Sequence, residues 1–193
     1  TTGNPPYGQM DIVPIEAGQE VLNTYKCLVF LGWNTCTNEI YEKLKKYVHQ
    51  GGHLWLSIPH LSTETKREKD LKLIHDGRWE DFLGVHVKGK GDIVHAGIKF
   101  IEKSGLSEYS FATWGHKCDP RHIGNDIPLA RVETTTAKVL AVTSTTHHLF
   151  ESEKEGDPIL IENKYGKGTV FLLTTWCYPG NSELYPFMKD MVR

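Results

Sequence analysis

Apolar and polar positions alternate most regularly between Tyr25 and His60, and that stretch predicts the first structural unit. KCLVFLG is a short, nearly unbroken apolar run, the pattern of a strand buried on both faces. Ile40, Tyr41, Leu44, Tyr47 and Val48 then recur at helical spacing, while Glu42, Lys43, Lys45, Lys46 and His49 fall on the other side. Thr37 stands where a hydroxyl caps a helix, and Gly51-Gly52 where a chain turns out of one. HLWLSIP supplies a second strand that Pro59 stops. Two strands joined by an amphipathic helix make a βαβ unit, and the rest of the chain is expected to pack around it.

The pattern loosens on either side. MDIVPI reads as a short strand and Gly18–Asn23 as a single helical turn. Leu71, Ile74, Trp79, Phe82 and Leu83 suggest helical pieces broken at Gly77. Gly84–Phe100 reads as short antiparallel strands linked by KGKGD. Ser104–Asp126 carries little periodicity and is expected to be a long structured loop. Regularity returns with LARVE, AKVLAVTS and the hairpin PILIENK-YGKG-TVFLLTT. Leu184, Phe187, Met188 and Met191 mark one face of a final helix. The expected fold is an α/β sandwich with a mostly parallel central sheet and an antiparallel C-terminal extension.

Composition changes this picture little. A chain of 193 residues with 39% hydrophobic and 24% charged positions is one ordinary globular domain, spanning 1–193. A formal net charge of −2 gives no global field toward nucleic acid or anionic lipid, so neither is expected as a partner. No apolar run approaches the roughly 20 residues that span a bilayer. The chain starts at Thr1 rather than Met, which makes a domain excised from a longer chain the expectation. Four cysteines share no CxxC spacing, so free thiols and a cytoplasmic setting are expected.

Several motifs together are similar to a known family. KCLVFLGWN, EKLKKYVHQGGHLWLSIPH, RWEDFLGV and ILIENKYGKGTVFLLTT resemble the class I glutamine amidotransferase-like superfamily. Within it they look most like the trimerisation domain of bacterial β-galactosidases and related domains of carbohydrate-active enzymes. The matching positions are Tyr47-Val48, Gly51-Gly52, Leu83-Gly84-Val85 and Tyr165-Gly166-Lys167-Gly168. The resemblance implies a flavodoxin-like three-layer sandwich that serves assembly and shapes a sugar site without catalysing a reaction. It implies other domains of a longer chain and a homo-oligomer as partners, carbohydrate as ligand, and no cofactor. The sequence departs from active amidotransferases because no Gly-x-Cys-x-Gly or Gly-x-Ser-x-Gly elbow is present.

Candidate sites follow from chemistry. Open α/β sheets bind ligands outside the carboxyl ends of their strands. Here those ends collect Trp33, Asn34, His60, Trp176 and Tyr178, with the Trp114 loop as a lid. Aromatic faces stack on sugar rings while amides bond hydroxyls. The bland alternative is that these aromatics pack under their own loops. Cys36 with His60 or His148 is the one nucleophile arrangement that can be assembled, as for a stand-alone Cys- or metal-dependent hydrolase. It lacks the elbow glycines, so no catalytic residue is assigned. His116, Cys118 and His122 form the sharpest metal-like cluster, but their spacing fits no standard zinc pattern and no metal is expected. His147-His148 point to opposite faces if extended, which disfavours a shared metal.

Overall fold

The computed structural model describes residues 11–101, 125–144, 156–176 and 178. The βαβ unit forms as its pattern requires. Strand β1 (Cys27–Val29) leads to helix α2 (Asn38–His49) and strand β2 (His53–Ser57), after a one-turn helix α1 (Gln19–Leu22). β1 and β2 run parallel, with Cys27 beside His53. Thr37 caps α2 by accepting from the Ile40 N–H at 3.2 Å. All five residues of the apolar stripe are buried. Gly51 ends the helix at φ +121°, a conformation that disfavours any side chain.

Beyond β2 the chain makes 3₁₀ turns at Ile58–Leu61 and Ile74–Gly77, then a two-residue strand β3 (Arg78–Trp79). Five strands follow or complete the sheet: β4 (Val85–Phe100), β5 (Asn125–Thr134), β6 (Lys138–Ser144), β7 (Pro158–Tyr165) and β8 (Gly168–Leu173). The strand order is β1-β2-β8-β7-β6-β4-β3, with β5 also paired to β4. β8 lies parallel to β2 and antiparallel to β7. The returning hairpin strand therefore sits at the seam between parallel and antiparallel pairing.

Consecutive residues of β2 are buried, so both sheet faces are covered. Leu54 and Leu56 join Tyr41, Leu44, Tyr47 and Val48 under α2. Trp55 points into a second cluster with Ile98, Phe100, Leu140 and Leu173, and stacks on Phe171 at 4.5 Å. Burial of this apolar area supplies most of the drive to fold, at about 25 cal/mol per Å².

Several expectations are corrected. The fold is mixed α/β, but among the described residues the sheet is mostly antiparallel, with only β1-β2 and β2-β8 parallel. An apolar run reports burial on two faces and not the direction of its neighbour, which is why the mostly parallel sheet misled. Residues 11–15 form no strand; Val13 and Ile15 instead pack against the α2-side core. KGKGD is no turn but part of the 16-residue β4, whose register shifts at Val87/Gly89 and Lys90/Ile93. Glycines there loosen pairing and admit bulges without ending the strand. The final helix lies outside the described residues.

One buried polar residue ties the far elements together. The Asn163 amide on β7 donates to the Phe82 carbonyl at 2.8 Å, and its Oδ1 accepts from the Thr136 hydroxyl at 3.0 Å. Asn163→Ala removes both bonds and leaves a buried carbonyl unpaired, so a loss of about 2 kcal/mol is expected. Urea midpoints of the two proteins check it.

Candidate functional site

The carboxyl ends of β1 and β2 are zipped together by their exit loops. The Asn34 amide donates to the His60 carbonyl at 2.9 Å, the Cys36 N–H to the Ser62 carbonyl at 2.7 Å, and the Thr35 hydroxyl to the Glu64 carbonyl at 3.4 Å. Pro59 starts the 3₁₀ turn after β2 and so aims His60 back over the strand end. The Ser57 N–H donates to Nδ1 of His60 at 2.9 Å, and the Ser57 hydroxyl lies 3.2 Å from the same nitrogen.

His60 is 1% exposed. Its ring meets Phe30 edge-on at 5.4 Å and Tyr178 at 5.1 Å. Burial pushes its pKa down to about 4, against weaker opposing pulls from the Gly32 and Ser57 backbones. Among the described residues, His60 Nε2, Asn34 Oδ1 and Trp176 Nε1 are buried without a hydrogen-bond partner, although the Gly32 backbone acts on the His60 ring. Each such atom costs about 1–3 kcal/mol.

Of the five residues expected at this rim, the structure brings Asn34, His60 and Tyr178 into contact. Trp33 stands out at 43% exposure. Trp176 follows β8, packs against the α2-side core and donates its backbone N–H to Pro128. Phe30 was missed as part of the site, and Ser57 was expected at this rim only as a strand end, without its bond to His60. Ser57-x-x-His60 was the available signal, since a serine three residues before a polar side chain at a turn start marks a reciprocal cap.

Burial works against Cys36 as a nucleophile. Cys36 is 1% exposed, and burial pushes its thiol up to about 12. Its Sγ lies 3.6 Å from the Thr37 carbonyl, and the lone pair on Nδ1 of His60 is already engaged by the Ser57 N–H. At pH 8 roughly a thousandfold less thiolate than in an exposed cysteine is expected. Cys36 should therefore react with a disulfide reagent only after unfolding. Labelling of native protein at the rate of a free thiol refutes this. His116, Cys118, His122, His148, Cys177 and the Trp114 loop lie outside the described residues. Among the described residues, no group of three His, Cys, Asp or Glu could hold a metal.

A groove of ≈ 480 Å³ lies at the other rim, lined by residues such as Asn23, Tyr25, Tyr47 and Gln50. Several of its polar groups are paired with each other: Asn23 with Gln50 at 2.8 Å, and the Tyr47 hydroxyl with the Tyr25 carbonyl at 3.0 Å. Satisfied groups offer a ligand little, so the carboxyl rim remains the stronger candidate.

No family model and no curated protein matches the sequence. Solved structures do. A beta-galactosidase from Rahnella sp. R3 is similar over 94% of this chain and 24% of its own, at 15% identity and a TM-score of 0.58. Alpha-L-fucosidase isoenzyme 2 from Paenibacillus thiaminolyticus is similar over 94% of this chain and 25% of its own, at 18% identity and a TM-score of 0.52. The cytoplasmic protein STM1381 from Salmonella typhimurium LT2 is similar over 90% of this chain and 73% of its own, at 13% identity and a TM-score of 0.55. At such identities the likeness is one of fold. The chain spans about a quarter of the length of the two glycosidases. Among the described residues, no helix is long and apolar enough to cross a membrane.

Proposed function

We propose that this chain is a non-catalytic domain of a carbohydrate-active enzyme, built on the amidotransferase-like plan, that serves assembly and forms one wall of a sugar site. One observation carries the reading: the same fold makes up about a quarter of both a galactosidase and a fucosidase. A fold shared by enzymes for different sugars fits a supporting part better than the seat of one chemistry. The motif likeness to β-galactosidase trimerisation domains agrees, and so does the protonated Cys36 thiol. The flanking partners would be other domains of a longer chain and further copies of it. A cytoplasmic setting is the proposed location, in keeping with the Salmonella neighbour's name.

The runner-up, a stand-alone Cys-dependent hydrolase, draws on that neighbour too, because the fold there fills most of the chain. Two measurements separate them. Light scattering should find a dimer or larger at high concentration, and nitrophenyl glycosides and amide substrates should not be turned over. A monomer at every concentration, or turnover abolished by Cys36→Ala, refutes the supporting role.

The sugar wall has its own check. Trp fluorescence should change with at least one oligosaccharide, and Trp33→Ala should weaken that response several-fold, since stacking one sugar face gains on the order of 1–3 kcal/mol. A response untouched by Trp33→Ala and Trp176→Ala leaves these aromatics as packing.

A further inference from the structure

The two faces of the sheet are buried in different ways. On the first, strand residues meet the helices and the 3₁₀ turns: Leu22, Tyr41, Leu44, Ile58 and Ile74 all belong to that cluster. The second cluster holds strand residues alone, from Trp55 on β2 to Phe100 on β4. The partly buried Cys27, Val29 and Phe171 packed against it stand on strands too. Yet none of its buried members is more than 3% exposed. Side chains on one sheet face stand side by side and cannot hide each other's tips, so a further layer must lie on them. Among the described residues, no helix or turn supplies that layer.

Four stretches of chain lie outside the described residues, and position separates them. Residues 1–10 enter at Asp11, which accepts from the Tyr25 hydroxyl at 3.1 Å, and Val13 and Ile15 just after it pack on the first face. Residues 102–124 join β4 to β5, and β7 and β6 stand between β4 and the β2–β8 pair. Residues 145–155 join β6 to β7 and carry Glu151, Glu153 and Glu155 in a short polar run. Residues 179–193 follow β8 itself, the strand beside β2.

The last stretch also has the pattern of a cover. Leu184, Phe187, Met188 and Met191 recur at helical spacing, while Glu183, Lys189 and Asp190 fall off that stripe. Pro186 stands near its start, where a missing N–H is tolerated. A helix from Leu184 to Met191 rises about 12 Å, most of the roughly 17 Å spanned by β2. We infer that residues 179–193 turn back from the carboxyl rim and lay this stripe on the second face, over Trp55 and Phe171, whose rings stack at 4.5 Å. A face sealed by its own chain is not free for a second copy, so any assembly contact falls elsewhere on the domain. The inference itself does not rest on the assembly or sugar-wall reading.

Carbon-13 labelling of the methionine methyls tests it in the whole chain. Met188 and Met191 are assigned through Met188→Leu and Met191→Leu, which keep the stripe apolar. At least one of the two methyls should show a nuclear Overhauser contact with the ring protons of Trp55 or Phe171, and neither should show one with Tyr41 or Leu44. Phe187→Asp should lower the urea midpoint and raise the fluorescence of an apolar dye several-fold, while Lys189→Asp should do neither. Methyl contacts with the first face, or none with the second, overturn the inference. So do contacts that appear only between differently labelled molecules in a mixed sample, because a second copy then covers the face. Equal midpoints and equal dye signals for the two charged variants overturn it as well. If Phe187→Asp does not fold, the methyl contacts decide alone.

Discussion

Gly168→Ala should lower the stability of the domain by about 3–5 kcal/mol, more than any single exposed substitution. The Tyr165–Gly168 turn closes the β7–β8 hairpin against the end of α2. A Cβ on Gly168 would stand 2.2 Å from the Gly52 carbonyl oxygen and 2.3 Å from that of Val48. Neither atom is the free end of a side chain, so the backbone itself must give. The Lys167 N–H donates to the His49 carbonyl at 3.0 Å, and the Thr169 N–H to the Gly52 carbonyl at 3.2 Å. Displacing the turn loosens both, at about 1 kcal/mol each, in addition to the overpacking. Alanine also stiffens the unfolded chain, a stabilisation of under about 1 kcal/mol that does not compensate. The melting temperature should drop by roughly 10 °C. Gly32→Ala is the control, since its Cβ would meet nothing within 4 Å. Equal melting temperatures for the two variants would mean that the hairpin does not press on the helix as described.

That contact explains why the glycine motifs were readable before any coordinates. Gly51, Gly52, Gly166 and Gly168 meet at one junction, where a β-carbon on Gly52 would strike the Tyr47 ring at 2.1 Å. The helix stripe and the hairpin were equally legible, the first because one side of α2 is buried and the second because two apolar runs flank a glycine turn. Strand direction was not. β2 and β8 are neighbours separated by more than a hundred residues, and nothing in HLWLS or TVFLL records which way its partner runs. The KGKGD segment misled for a related reason: glycine marks a turn and a bulge with the same letters, and only the pairing of β4 with β5 decides between them.

The site was legible in part. Strand ends followed from the apolar runs, so Asn34, His60 and Tyr178 could be placed on one rim. What sequence could not convey was depth. Cys36 and His60 fall at strand ends, yet both are 1% exposed, because the loops after β1 and β2 close on each other through the Cys36 N–H and the Asn34 and Thr35 side chains. Which distant carbonyl a loop amide or hydroxyl will meet leaves no trace in residue type. Depth reverses the chemistry, since burial keeps the thiol protonated and the imidazole neutral.

Acidification should therefore destabilise the domain through His60. The folded-state pKa is about 4, below the ordinary value of 6.5. Between these values the unfolded chain binds a proton that the folded chain refuses, so stability falls as pH drops. The contribution is whole above pH 6.5, declines through the interval, and is fully lost near pH 4. Over the window it amounts to about 3 kcal/mol. The cause is desolvation, and no carboxylate stands among the groups acting on the ring. Other histidines and the carboxylates titrate as well, so the measurement is a difference. His60→Asn keeps an acceptor near the Ser57 N–H and removes the titrating ring. Urea midpoints from pH 7 to pH 4 should fall more steeply for the natural protein than for the variant, and the gap between them should narrow below pH 6.5. The variant starts less stable at pH 7, because a smaller side chain leaves space between Phe30 and Tyr178. The two curves should converge toward pH 4. Parallel curves would show that His60 is protonated as readily folded as unfolded, and so that the rim is open to water.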